Sequence, residues 1–249
     1  LTLTEGTRII RILGDEVQVK RLWFEVNELD KKTQAIRKAK KPFTVAVFDG
    51  DRFVGDKGMS FYTNPLSAWY EEQYAVGEIS EEHYKKLYPQ TRFFVNVFDR
   101  TPVILDEQHN PVYPDKHGKY RIAGTPVPHN KVLILEGSAG KQGGKHLLQQ
   151  MITVGENLRS FTTGQSISLM ESDLRIITTG SNITTTRVVM PDANQSPIPR
   201  EQIAEQFDLV SWLVPFPYDG LQELVEGAEY TDVVARYNVQ LYPKKVRVL

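Results

Sequence analysis

The sequence predicts a mainly β protein with helical insertions, an α+β fold, on three observations. Apolar and polar residues alternate over "TRIIRIL", "VQVKRLWFEV", "FTVAVFD" and "RFFVNVFDR", the period-two pattern of strands. Helical signals are confined to a few stretches, chiefly residues 64–89. The 249 residues, 40% of them hydrophobic, suffice for a sizeable core in one large domain or in one domain with an appendage.

Taken in order, "TRIIRIL" (7–13) and "VQVKRLWFEV" (17–26) are half-buried strands joined by a turn at Gly14, Asp15 and Glu16, and "FTVAVFD" (43–49) is the next strand. Asn64 and Pro65 open a helix over "NPLSAWYEEQYAVG"; Ser80 caps a second, "SEEHYKKLYP", with acids in its first turn and Pro89 at its end. Strands return with "RFFVNVFDR" (92–100) and, after a Pro-, Asp- and His-rich excursion over 101–130, with "KVLILEG". A helix around 145–154 precedes the strands "DLRIITTG" and "TTTRVVMP", which turn at Gly180, Ser181 and Asn182. "DANQSPIP" (192–199) reads as a linker, followed by a helix led by Pro199 and a second, "YDGLQELVEG", capped by Asp219 and closed by Gly227. The expected organisation is one domain over 1–191, with its helical insertion at 64–89, and a linker plus acidic helical segment over 192–249.

Composition narrows the function. With no cysteine there can be no disulfide, thiolate zinc site or Cys nucleophile, and the five histidines show no metal-ligand spacing. Neither a membrane-length apolar run nor a charged-then-apolar leader is present, so a soluble, cytoplasmic protein is expected. A first residue other than Met is consistent with a trimmed terminus. Charge is unevenly placed: residues 1–41 hold ten Lys or Arg against six acids, and residues 201–249 hold four against eight. "KKTQAIRKAKKPF" gathers Lys31, Lys32, Arg37, Lys38, Lys40 and Lys41 without an acid, either a solvated turn or a surface for phosphates.

Enzymatic signals are weak. "AGKQGGKH" places Ala139 and His146 where a phosphate-cradling Walker loop requires glycine and a hydroxyl, and antiparallel-looking strands surround it rather than βαβ units. Asp49 and Asp51 are the best acidic pair, but with no third ligand or nearby histidine they read as a turn. No catalysis and no cofactor are expected. More telling is "RFFVNVFDR". Phe93, Val95, Val97 and Asp99 share one face, whereas Arg92, Phe94, Phe98 and Arg100 share the other with Asn96, alternating cations with rings that could stack on bases. The strand at 17–26 repeats this with Arg21 and Trp23 outward and Leu22, Phe24 and Val26 inward. Phe94 and Phe98 could instead lie under the helices of 64–89, and Tyr62, Trp69 and Tyr70 are either further stacking residues or a buried helix stripe.

The order of these pieces ("GTRIIRIL", a Trp-bearing strand, a lysine-rich connection, a helical insertion ending "LYPQTRFFVNVFDR", and "KVLILEGS" with "GGKHLLQQM" before a hairpin) resembles the single-stranded DNA-binding replication proteins of tailed phages over most of residues 5–190. The resemblance implies an OB-fold, a five-stranded Greek-key barrel with a basic, aromatic-lined groove. It also implies an acidic C-terminal region that recruits polymerase, helicase or primase in DNA replication, recombination and repair within the host cytoplasm. Many members carry a zinc knuckle in the insertion; "GMSFYTNPLSAW" has no cysteine, so no metal is implied here. As the chain ends "PKKVRVL", the recruiting role would fall to the acidic 201–232 segment or to a tail beyond it. The expected function is sequence-independent coating of single-stranded DNA, with Arg21, Lys31, Lys32, Arg37, Lys38, Lys40, Lys41, Arg92 and Arg100 on phosphates and Trp23, Phe94 and Phe98, joined by Tyr62, Trp69 and Tyr70, on bases. The alternative is a structural or assembly β-protein, such as a virion component, whose aromatic faces are subunit contacts; oligomeric state stays open.

Overall fold

The computed structural model describes every residue except 2, 31, 61–62, 88–89, 140–145, 161, 181–184 and 249, together with all side chains but those of 86 and 87 among the rest. The expected glycine-rich loop and the turn at Ser181 and Asn182 therefore lie outside the described residues. In chain order the first elements are β1 (Gly6–Ile12), β2 (Val17–Leu29), β3 (Ile36–Asp49), β4 (Arg52–Val54), α1 (Pro65–Ala75), α2 (Glu81–Leu87) and β5 (Gln90–Asp99). There follow β6 (Pro102–Leu105), β7 (Pro111–Val112), β8 (Val127–Pro128), β9 (Lys131–Ser138), α3 (Leu147–Asn157), β10 (Leu174–Thr179) and β11 (Thr186–Pro191). The last are β12 (Glu205–Phe207), α4 (Leu209–Trp212), α5 (Tyr218–Val225), α6 (Tyr230–Arg236) and β13 (Lys245–Arg247). The protein is mainly β, with extensive antiparallel sheet and several helices.

Two compact units share these elements: residues 1–16, 93–208 and 245–249 form the first, residues 17–92 and 209–244 the second. In the first, β11, β10, β1 and β5 lie side by side, antiparallel, with Ile10 opposite Leu174 and Ile12 opposite Val97; β9 also pairs with β5. Alternation sends Ile10, Ile12, Phe93, Val95, Val97, Leu174 and Ile176 to one buried side, where Leu147, Leu148 and Met151 of α3 cover them. Gly137 permits this packing: a Cβ there would stand 2.3 Å from the Phe93 ring. The other side of β5 is closed as well. The Asn96 amide makes a two-way hydrogen bond with the backbone of Phe207, donating to its carbonyl (2.9 Å) and accepting from its N–H (3.1 Å), which docks β12 and its partner β13.

Beside this core lies a buried charge cluster. Arg11 Nε donates to Asp173 Oδ1 at 2.8 Å, Arg100 Nη1 donates to Asp173 Oδ2 at 3.1 Å, and Arg11 also donates to the Ser196 and Asn194 carbonyls. Burial pushes the Asp173 carboxyl up from its ordinary value while the two guanidiniums pull it back. Residues 192–197, expected as a plain linker, are thereby held against the sheet.

The second unit is built on the long β2–β3 hairpin, in register from Val19 opposite Val47 to Leu29 opposite Ile36, with a bulge at Lys20 and Arg21. Leu22, Phe24, Val26, Phe43 and Val45 are buried on one side, against Leu66 and Tyr70 of α1, Leu221 and Leu224 of α5, Tyr230 and Val233 of α6, and Phe216. α1 begins where expected: the Asn64 side chain accepts from the Ser67 N–H at 3.0 Å, with Pro65 in the first turn.

Local expectations fail at several places. The basic stretch is not chiefly a loop, since β3 starts at Ile36 and, of its described residues, Lys32 and Thr33 form the turn. Pro199 leads a single 3-10 turn, Arg200–Gln202, rather than a helix. Pro217, not Asp219, precedes α5, and Asp219 lies in its first turn, where its carboxylate accepts from Lys57 Nζ; Gly227 does follow the helix, at φ +95°. Among the described residues neither unit closes its strands into a barrel. Residues 209–244 pack with 17–92 in one core.

Asp173→Asn is expected to lower stability by about 3–5 kcal/mol, because it strips the counter-charge from a guanidinium that is 3% exposed. Urea unfolding of the full chain, followed by circular dichroism, measures it.

Candidate nucleic-acid interface

Pairing across the hairpin sorts its cations. Directly opposed residues share a face, so Lys41 (opposite Phe24) and Arg37 (opposite Glu28) continue the inner face, whereas Lys40 (opposite Glu25) and Lys38 (opposite Asn27) continue the outer one with Trp23 (opposite Pro42). The inner cations are engaged. Glu28 accepts from Lys41 Nζ at 2.6 Å and from Arg37 Nη2 at 3.1 Å, and these bonds hold its carboxyl below the usual range; Lys41 also lies 5.2 Å from the centre of the Tyr230 ring. The outer ones are not: Lys38 and Lys40 are exposed and have no ion pair among the described residues. The turn beyond them is fixed by Asp30, whose carboxylate accepts from the backbone N–H of Lys32 (2.8 Å) and Thr33 (3.1 Å), leaving the Lys32 side chain exposed; Lys31 lies outside the described residues.

Trp23 is 39% exposed, enough ring to receive a base. Lys38 and Lys40 also border a cavity of about 270 Å³ whose wall includes Trp69, Tyr70 and His83. Trp69 is half-buried, edge-on to Phe24 with ring centres 5.2 Å apart, and keeps part of its indole toward this space. Tyr70 is a core residue instead: it is 6% exposed, its hydroxyl donates to the Trp23 carbonyl at 2.8 Å, and burial pushes its hydroxyl above the ordinary range. Tyr62 lies outside the described residues. His83 is exposed on α2, and the sequence offers no spacing that marks it. Arg21 is half-buried, its guanidinium 5.6 Å from the centre of the Trp212 ring.

The face expected on β5 is not a surface. Phe94 is 1% and Phe98 0% exposed, so neither ring is placed to stack on a base. Arg100, 14% exposed, is bound to Asp173, and the half-buried Arg92 donates to Gln90 Oε1 at 2.8 Å. The alternation of Arg and Phe there reflects a strand covered on both faces, whose guanidiniums are drawn off at its ends. What the structure does bring together lies in the second unit: Trp23, Lys38 and Lys40, with Trp69 beside them. Asp49 and Asp51 are exposed at the β3–β4 turn, and no group of three His, Asp or Glu among the described residues is arranged to hold a metal ion. No helix of the described residues is long and apolar enough to cross a membrane.

No family model matches the chain, and comparison with curated proteins and with solved structures likewise returns no match.

Phe94→Ala and Phe98→Ala are each expected to cost about 3–5 kcal/mol of folding free energy, the range for a buried Phe. Chemical denaturation reads this cost, and oligonucleotide affinity of the fraction that stays folded is expected to be unchanged.

Proposed function

We propose that the chain binds single-stranded DNA without base preference through the outer face of the β2–β3 hairpin, and that the phage replication proteins it resembles are its functional kin. One observation carries the reading: an exposed Trp23 lies on the same strand face as Lys38 and Lys40, which have no carboxylate partner among the described residues. A cation two residues from the next and an exposed indole supply phosphate neutralisation and base stacking within the reach of adjacent nucleotides, the combination that single-strand binders use. No chemical step is required. Any OB-type relationship rests on the resemblance in sequence. Recruitment of replication proteins by the acidic segment belongs to the same proposal; Glu201, Glu205, Glu226 and Asp232 are its exposed acids without an ion pair among the described residues.

A second reading has its own support. Leu29 and Ile36 oppose each other on the same outer face near the hairpin turn, 40% and 67% exposed, an apolar pair suited to a subunit contact. It calls for a stable oligomer with no affinity for DNA.

Fluorescence titration with oligo(dT), beside duplex of equal length, tests the choice. With about three to four phosphates neutralised, log K is expected to fall against log salt with a slope of about −2 to −3, and joint Lys38→Ala and Lys40→Ala replacement to reduce it by about 1.4. Trp23→Ala is expected to cost about 1–3 kcal/mol of affinity with little loss of stability. A salt-independent interaction, or equal affinity for duplex, would reject the proposal.

A further inference from the structure

The first unit contains three arginines with little exposure, and one of them is unlike the others. Arg11 and Arg100 share Asp173, whereas Arg8, 4% exposed, has no carboxylate within ion-pair distance among the described residues. Its Nη1 donates to the Thr7 carbonyl (3.0 Å) and its Nη2 to Thr4 Oγ1 (3.2 Å), but its Nε has no partner. Burying a guanidinium with no carboxylate in direct contact and one donor unused is costly, and the buried Asp99 offsets this only at a distance, from beyond the Tyr113 ring. The flat of the group lies 3.5 Å from the centre of the Tyr113 ring, and that ring is held in place because the Tyr113 hydroxyl donates to the buried Asp99 carboxylate at 2.9 Å.

Arg8 forms part of the wall of a cleft of about 400 Å³, within the roughly 300–1,000 Å³ typical of small-ligand sites. Around it stand Lys119, Arg121, Tyr113 and Tyr120. Lys119 and Arg121 are exposed and have no ion pair among the described residues. The acids nearby are already engaged: Glu5 is paired with Lys116 at 3.4 Å, Asp115 is taken up by the backbone N–H groups of His117 and Lys119, both at 2.8 Å, Asp106 accepts from the backbone N–H groups of Gln108 and Asn110, and the buried Asp99 is bonded to Tyr113 and His129. Lys119 and Arg121 are thus the cations of the cleft wall that no acid engages directly among the described residues. The wall is fixed: Gly6 at φ +135° brings β1 so close to Pro114 that a Cβ would stand 2.5 Å from its carbonyl oxygen, and the Thr7 N–H donates to that oxygen at 3.3 Å.

We propose that this cleft binds a phosphate monoester, seated on the Arg8 guanidinium with Lys119 and Arg121 supplying the remaining charge. A guanidinium presents several N–H donors in one plane to phosphate oxygens, and an anion would give the buried charge a direct contact in place of the distant Asp99. The phosphate could be free or the end group of a nucleotide. The site is independent of the hairpin face and of the reading given for it.

Calorimetric titration of the full chain with dTMP, inorganic phosphate and thymidine tests the proposal. dTMP and phosphate are expected to compete for one saturable site that thymidine does not enter. Lys119→Ala and Arg121→Ala, both at exposed positions where the fold tolerates change, are each expected to weaken dTMP about tenfold, the order expected for loss of one charge-assisted contact. Tighter binding of dTMP than of phosphate supports a nucleotide end group; equal binding supports free phosphate. Absence of saturable binding by either, equal binding of thymidine, or affinity unchanged in both variants would overturn it. Oligo(dT) lacking a terminal phosphate reports on the hairpin separately, so failure of one site is not mistaken for failure of the other.

Discussion

A carboxylate without solvent exposure, Asp173, lies between Arg11 and Arg100, and the first unit is organised around it. Its three charged groups come from β1, from the residue after β5 and from the residue before β10, while the Ser196 and Asn194 carbonyls take the remaining Arg11 donors. Exchanging these groups for apolar ones would not obviously weaken the fold, because desolvation offsets most of their attraction. Their effect is on specificity. A strand shifted by one residue would bury an unpaired guanidinium, so the cluster selects the register in which Ile10 meets Leu174.

The hairpin depends on a different constraint. Its inner face needs a cover, and the cover comes from two distant parts of the chain, α1 near the middle of the sequence's first half and α5 with α6 near its end. With Phe216, Leu221 and Tyr230 occupying that face, the outer face of Trp23, Lys38 and Lys40 is the one left to solvent. The acids near the C-terminus play a local part here: Glu229 accepts from the Leu29 N–H and from the Asp232 N–H, joining the hairpin edge to the start of α6. Glu223 bonds Arg236 and the Tyr237 hydroxyl. Much of the charge that looks like an acidic surface in the sequence is spent inside the unit.

Features set by neighbours in the chain were legible. The Asn64–Pro65 start of α1, the Ser80 hydroxyl accepting from the His83 N–H, and the alternation of β1, β2, β10 and β11 follow from capping and period-two burial. Features set by distant pairing were not. Nothing near Phe94 announces that Asn96 will anchor the Phe207 backbone and close that face of β5, and an Arg–Phe alternation with a solvent face looks the same as one without. Similarly, six cations in a row gave no hint that Glu28 would claim two of them; only the register of the hairpin separates Arg37 and Lys41 from Lys38 and Lys40. For the candidate site, Trp23, Lys38 and Lys40 could be named in advance, whereas the cleft around Arg8 required knowing that no acid among the described residues pairs with it directly.

The interleaving of the two units sets an order of events during synthesis. The apolar face of the hairpin, with Leu22, Phe24, Phe43 and Val45, leaves the ribosome long before Phe216, Leu221 and Val233 exist to cover it. At about 5–20 residues per second the interval is roughly ten to thirty seconds. Leu66 and Tyr70 of α1 are made soon after the hairpin and can cover part of this face, but the rest of it stays open to other nascent chains until α5 and α6 follow. The exposed lysines of the outer face would then serve, early in the life of the molecule, as protection against self-association.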